Sequence, residues 1–279
     1  MNVKIKGIDF KVVEVSSGGL CASCISGIWE EGKGPVFPLH PNCGCFTEKL
    51  EVPLNATKDD ILVFWKERQT ALKDFIKTLE RFEGNEKNIY LDTKGNMTIG
   101  IGKNINAKND FLATALRNKT GQLLSLKQKE DIYSELTELR NNLIEKNLPF
   151  NLAVERQKTS PLFDPFRQVS ITEEYAKQEA YIYMTKEIPL LNKKLRQNGI
   201  EPTQIPQSAQ KALWDLQYNL GNTKFNAHNW NDLFNALKTE DYRKAAEESH
   251  RRNIQTERNN TVRFWFNLAS MEQTSSPHN

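Results

Sequence analysis

The chain has 279 residues, of which 38% are hydrophobic and 26% are charged, and its formal net charge is +3. This length is enough for one large or two smaller cores, and the composition excludes wholesale disorder. The charge excess is too small to indicate a nucleic-acid partner. No apolar run reaches the length of a membrane span, so we expect no membrane insertion.

The segment from residue 1 to about 56 is rich in Gly, Pro and Cys, and residues 6–15 are its only strand-like run. Thiolates two residues apart, followed by a second pair about 15 to 20 residues on, are typical of a tetrahedral zinc site. Two disulfides are the alternative in an oxidising compartment. Because protein ligands can fill all four positions, we predict a structural zinc ion. Five candidate ligands compete for those positions: Cys21, Cys24, His40, Cys43 and Cys45.

Metal analysis tests the zinc prediction directly. Protein purified under reducing conditions is expected to contain about one zinc ion per chain, because structural zinc binding is coupled to folding. Well-folded, metal-free protein with intact disulfides would contradict it.

Helical periodicity begins after Asn55-Ala56-Thr57, and the helix should end at Glu83 because Gly84 can adopt the left-handed conformation that terminates helices. A short hairpin is predicted next, around the turn from Asp92 to Asn96. This order places one acid at a helix end, a second acid at a turn, and the hydroxyl of Thr98 on the returning strand.

Residues of about 106–169 are interpreted as a connecting insertion with one helix near 127–146. Ser170-Ile171-Thr172-Glu173 is interpreted as a capping box that opens a long helix, and residues 269–279 as a flexible tail. The predicted class is therefore α+β and mostly α, with a lysozyme-like domain over 57–268. Further helices are predicted near 207–220, 230–237, 242–249 and 259–268.

Two carboxyl groups on different elements meet the needs of glycoside hydrolysis. One must be protonated to donate to the leaving oxygen, and the other must be ionised to activate water or stabilise positive charge. Glu83 follows the apolar residue Phe82, and partial removal from water favours a protonated carboxyl. Asp92 at a polar turn is expected to be ionised. For an arbitrary pair of acids, however, a surface role is the usual one.

The stretch of Glu83, eight residues, Asp92, five residues, Thr98 and then Ile-Gly-Ile-Gly resembles the active site of the T-even phage lysozymes, glycoside hydrolase family 24. The similarity continues through residues 170–268. The resemblance implies a small hairpin lobe that faces a helical lobe across a glycan cleft. It also implies that Glu83 is the general acid, that Asp92 handles the water or the developing cation, and that Thr98 helps to hold that water.

The resemblance implies cleavage of the β-1,4 bond between N-acetylmuramic acid and N-acetylglucosamine in peptidoglycan, with no cofactor for turnover. Inversion is common in the family and needs about 6.5 to 9.5 Å between the two carboxyl groups. Asn219 is a candidate for binding sugar amides, with a bridging role inside the helical lobe as the alternative. Lys103 stands where the phage enzymes usually carry histidine, which puts a local ion pair in doubt.

Two alternative functions are consistent with the same residues. A catalytically silent wall-binding or virion-associated protein would use the same fold for attachment. A lytic transglycosylase would act on the same substrate and form an anhydro product, but that reaction has little use for a second carboxylate such as Asp92.

The segment 21–45 resembles the terminal Cys-x-x-Cys and His-Pro-Asn-Cys-x-Cys motif of phage minor head-morphogenesis proteins, which implies a docking module. The chain start alternates like a strand and lacks the pattern of a signal peptide. We therefore expect synthesis in the cytoplasm and action on the periplasm or cell wall of a target or host bacterium. An antibacterial toxin effector and a phage-type endolysin both fit. The expected partners are glycan strands, a secretion-apparatus or phage component, and an immunity protein.

Several bulky and basic residues in the second half have ordinary structural explanations. Tryptophans at helical spacing are predicted to pack in the core and not to stack on sugars. Arg251 and Arg258 are predicted to lie on a solvated helix surface, with contact to muropeptide carboxylates as the alternative.

Overall fold

The computed structural model of the chain describes residues 3–5, 8–16, 27–30, 47–145 and 154–275. The described residues are mostly helical and include two small antiparallel sheets, which confirms the α+β, mostly α class. The chain forms two compact units, Met1–Phe75 with Ile182–Asn279, and Ile76–Tyr181.

The first sheet contains four antiparallel strands, β1 (Val3–Ile5), β2 (Ile8–Ser16), β3 (Gly27–Glu30) and β4 (Thr47–Pro53). Strand β2 pairs with the other three. The sequence predicted only the β2 run, because β1 and β3 have three and four residues and depend on pairing for their stability. Strand β4 is longer, but Glu, Lys and Pro, which are depleted in strands, weaken its pattern. Alternate residues of β2 and β4 point to one face of the sheet, where they form a hydrophobic core. This core also includes Ile61, which lies beyond the predicted amino-terminal segment of residues 1–56. Its buried members are Val13, Val15, Leu50, Val52 and Ile61.

The first unit also contains helices. Helix α1 (Lys58–Glu83) and helix α5 (Glu173–Gln197) each contribute residues to both units. Buried aromatic rings hold the first unit together, with Phe75 lying 5.7 Å from the Trp214 ring and 6.1 Å from the Trp265 ring between centroids. The other helices are α6 (Gln207–Lys224), α7 (Asn231–Lys238), α8 (Tyr242–Glu248) and α9 (Thr256–Ser275).

Arg251 and Arg258 are buried, so the prediction of a solvated basic surface is wrong for both. The two residues are 3% and 4% exposed, and each forms an ion pair with the fully buried carboxylate of Asp215. Asn259 supports the cluster, because its amide donates to the carbonyl of Arg251 at 2.8 Å. The two guanidinium groups are therefore part of the buried core of the first unit and do not contact a substrate.

Asp215→Asn is expected to destabilise the protein by about 3 to 5 kcal/mol, because it leaves two buried cations without a counter-charge. Urea denaturation would measure the change, with an unaltered slope showing that the unfolded state is unchanged. Glu247→Gln is the matched control: Glu247 pairs with Lys244 in an exposed ion pair, and exposed pairs contribute little. Equal losses in the two variants would contradict the assigned role of Asp215.

The second unit contains a three-stranded antiparallel sheet in the order β5-β6-β7. Its strands are β5 (Glu86–Leu91), β6 (Met97–Gly100) and β7 (Lys103–Asn104). Three helices follow, α2 (Lys108–Ala113), α3 (Leu126–Glu145) and α4 (Val154–Thr159). The segment predicted as a connecting insertion is therefore itself largely helical within the described residues.

Two details of the helical prediction are corrected. The capping side chain of α5 is Thr172, whose hydroxyl accepts from the backbone N–H of Tyr175 at 3.1 Å, while Ser170 forms backbone bridges to Asn88 and Arg117. Residues 269–275 continue α9 instead of forming a loose tail, because Phe266 and Ala269 pack into the core at helical spacing. None of the helices in the described ranges is long and apolar enough to cross a membrane.

Candidate active site

Glu83 is the last residue of α1. A capping box begins this helix, in which the Thr57 hydroxyl accepts from the Asp60 N–H at 3.2 Å and Asp60 accepts from the Thr57 N–H at 2.9 Å. At the other end Gly84 has a φ of +74°, a conformation that terminates helices. The Glu83 side chain is half-buried. The predicted helix end is therefore confirmed, and it leaves the Glu83 carboxyl partly shielded from water.

Asp92 follows β5 directly and organises the hairpin turn with its own carboxylate. Its Oδ1 accepts from the backbone N–H groups of Lys94 and Asn96, both at 2.8 Å. Its Oδ2 accepts from the side-chain amide of Asn96 at 2.9 Å. A carboxylate has about four acceptor positions, so three donors from the described residues leave room for one more. The fixed, half-buried Asp92 can therefore accept a hydrogen bond from a water molecule.

The backbone carbonyl of Asn96 links Asp92 to Thr98. It accepts from the Asp92 N–H at 2.9 Å and from the Thr98 hydroxyl at 3.1 Å. Asn106 supports Asn96 in turn, because its amide donates to the Asn96 side-chain oxygen at 2.8 Å. Asn96 and Asn106 were missed in the sequence, where asparagines near a turn indicate only the turn itself.

Tyr90 lies on β5, between Glu83 and Asp92 in the chain. Its Cα is paired with that of Thr98 across β5 and β6, and directly paired residues present their side chains on the same face of a sheet. Burial raises the pKa of Tyr90 above its usual range, and the carboxylates of Glu83, Glu86 and Asp92 raise it further. The phenol therefore stays protonated at neutral pH.

Helix α3 of the insertion contacts the same hairpin. Arg140 donates through Nε to the carbonyl of Gly95 in the turn. The Tyr133 hydroxyl donates to the carbonyl of Asn106 at 2.8 Å. These contacts join residues 45 and 27 positions apart, which is why no local pattern in the sequence predicted them.

Lys103 forms an ion pair with Glu179 of α5. The replacement of the histidine expected from the resemblance therefore does not leave this position unpaired. The neighbouring Gly100 has a φ of +64°, and a Cβ atom there would lie 3.1 Å from both the Ala176 Cβ and the Ile171 Cδ1. Glycine at this position lets the strand end pack closely against α5.

Asn219 lies on α6 in the first unit and is half-buried. In the described part of the chain its side-chain amide forms no hydrogen bond, and its predicted contact with sugar amides stays a prediction. The five predicted metal ligands, Cys21, Cys24, His40, Cys43 and Cys45, lie outside the described residues. Among the residues that are described, no group of three or more His, Cys, Asp or Glu side chains is arranged to hold a metal ion.

A cavity of about 280 Å³ lies in the first unit. Its walls come mainly from α1, α5 and α6 and include Arg68, Leu191 and Trp214. None of the predicted catalytic residues lines it. The candidate site is therefore defined by the segment from Glu83 to Thr98 and not by this cavity.

Comparisons with protein-family models and with curated proteins find no match to this chain. The resemblance to the phage lysozymes, and the second resemblance of the Cys/His segment, therefore stay predictions based on the residues that carry them.

Proposed function

We propose that the protein hydrolyses the β-1,4 bond between N-acetylmuramic acid and N-acetylglucosamine in peptidoglycan. The observation that carries the proposal is the placement of the two acids at either end of one short stretch: Glu83 ends α1, and Asp92 follows β5 with its carboxylate held by three hydrogen bonds. The two acids also lie in different surroundings, one at a half-buried helix end and one in a turn rich in hydrogen-bond donors. Paired acids in unlike environments are what glycoside hydrolysis requires.

In the proposed reaction the Glu83 carboxyl gives its proton to the glycosidic oxygen as the bond from that oxygen to the anomeric carbon breaks. Asp92 accepts a proton from the water that attacks the anomeric carbon, through the acceptor position that its turn leaves open. Thr98 is proposed to help hold that water, because its hydroxyl hydrogen is directed to Asn96 and its oxygen can still accept. Asn219 is proposed to bind a sugar amide.

Mass spectrometry of fragments from purified peptidoglycan tests the proposal. Hydrolysis predicts fragments with hydrated reducing ends at N-acetylmuramic acid. Anhydro ends would replace the proposal by a lytic transglycosylase reaction, and intact glycan strands with bound protein would replace it by a silent wall-binding function. Either of these two outcomes overturns the proposed hydrolysis.

A further inference from the structure

The outer edge of β5 is covered by the chain segment that includes α4 and leads into α5. An edge strand has backbone N–H and C=O groups that need partners once they are buried. At Lys87 the backbone carbonyl accepts from the N–H of Ile171 at 2.9 Å, and Asn88 forms a backbone bridge with Ser170. At Leu91, the last residue of the strand, the partner is a side chain instead.

Gln157 of α4 forms two hydrogen bonds with the backbone of Leu91. Its Oε1 accepts from the Leu91 N–H at 2.9 Å, and its Nε2 donates to the Leu91 carbonyl at 2.7 Å. Gln157 is 3% exposed and Leu91 is 1% exposed, so water does not compete freely for these groups. Arg167 holds α4 in turn, because it donates to the backbone carbonyls of Gln157 and Ser160. A primary amide thus takes the place of a neighbouring strand residue.

The contact with Leu91 bears directly on Asp92. The peptide group between them is held at both ends, because its carbonyl accepts from Gln157 and its N–H donates to the carbonyl of Asn96 at 2.9 Å. A peptide group held at both ends restricts rotation of the backbone immediately before Asp92. Gln157, 66 positions along the chain from Leu91, therefore restrains the backbone that precedes the Asp92 carboxylate.

We propose that Gln157 is a positioning residue for Asp92, and that the insertion exists in part to hold the turn of this hairpin. The proposal rests on the proposed glycosidase function. It is supported at the opposite end of the turn, where Arg140 of α3 donates to the carbonyl of Gly95. Two helices of the insertion thus hold the residues on either side of the Asp92 carboxylate.

Gln157→Met tests the proposal, because methionine has nearly the same shape and forms neither hydrogen bond. On solubilised peptidoglycan fragments, kcat is expected to fall about 10-fold to 100-fold with little change in KM, as small displacements of a catalytic group have effects of this size. Gln157→Glu keeps the oxygen that accepts from the Leu91 N–H and loses the amide that donates to the Leu91 carbonyl. Its kcat provides a second test if the methionine variant does not fold. Gln168→Ala is the matched control, since Gln168 is exposed and, among the described residues, bonds only to the nearby Asp164 carbonyl.

A double-mutant cycle separates positioning from general stability. If Gln157 acts through Asp92, Gln157→Met has no further effect on kcat in an Asp92→Asn background. An unchanged kcat in the single variant, or the same fold-loss in both backgrounds, overturns the inference while the activity of the unsubstituted chain keeps the proposed function. If the unsubstituted chain itself releases no reducing ends, the proposed function fails, and the catalytic role of Gln157 fails with it.

Amide hydrogen exchange tests the contact itself without any activity. The Leu91 N–H is expected to exchange faster in Gln157→Met than in Gln168→Ala, because it has lost its acceptor. If the Leu91 and Asp92 amides each exchange at the same rate in Gln157→Met as in Gln168→Ala, Gln157 does not hold this backbone. That outcome would overturn the inference whatever the protein hydrolyses.

Discussion

Glu83→Gln is expected to lower the rate of reducing-end release from purified peptidoglycan by about 100-fold to 10,000-fold, the usual contribution of general acid catalysis. Glutamine keeps the size of the side chain and cannot supply a proton at the required moment. Because Glu83 lies at the end of α1 and outside the buried cluster of the other unit, the variant is expected to fold normally. Circular dichroism and urea denaturation would establish that.

Glu86→Gln is the control for this substitution. Glu86 lies three residues further on, and its carboxylate also raises the pKa of Tyr90. It forms an ion pair with Lys158 at 2.9 Å. If the loss in Glu83→Gln came only from a change in local charge, the Glu86 variant would show a similar loss. Undiminished release of reducing ends by Glu83→Gln would remove the assignment of Glu83 as the acid.

Asp92→Asn is expected to reduce the same rate by about 100-fold or more, because the amide cannot accept the proton of the attacking water. The side-chain oxygen of asparagine can still accept from the N–H groups of Lys94 and Asn96, so the turn is expected to persist.

Asn96→Ala separates the charge of Asp92 from the hydrogen bond that it accepts. Both substitutions remove the bond between the Asn96 amide and the Asp92 Oδ2, and each such bond is worth about 1 kcal/mol. Asn96→Ala also removes the bond that its side-chain oxygen accepts from Asn106, so it should lose at least as much stability as Asp92→Asn, while Asp92→Asn loses far more activity. Equal activity losses would show that the turn geometry, and not the carboxylate, limits the reaction. Release of anhydro products by Asp92→Asn at the unsubstituted rate would favour the transglycosylase reaction.

The parts of the site that were predictable are those held by short-range contacts. The end of α1 at Glu83 follows from the left-handed conformation of Gly84, and the hairpin follows from the turn that Asp92 forms with Lys94 and Asn96. Each of these features depends on residues within about five positions, and their hydrogen-bonding partners lie in the same stretch of sequence. The acid at the helix end and the acid at the turn were both placed correctly on this basis.

The burial of Arg251 and Arg258 was not predictable in this way. From the sequence alone, arginines near the start of a helix are expected on its solvent-exposed face. Their burial is favourable only because they pair with Asp215, which lies 43 residues from Arg258. The same reason applies to β1 and β3, which pair with β2, since a strand of three or four residues has little preference of its own.

The local order of residues is sufficient to specify the helix end at Glu83, the turn at Asp92 and the mostly helical class, because backbone hydrogen bonds over a few residues carry that information. The supports of the site come from elsewhere in the chain: Gln157 on Leu91, Arg140 on Gly95 and Tyr133 on Asn106. Their pairing depends on which segments are brought together when apolar surface is buried, and no short stretch of sequence contains both partners.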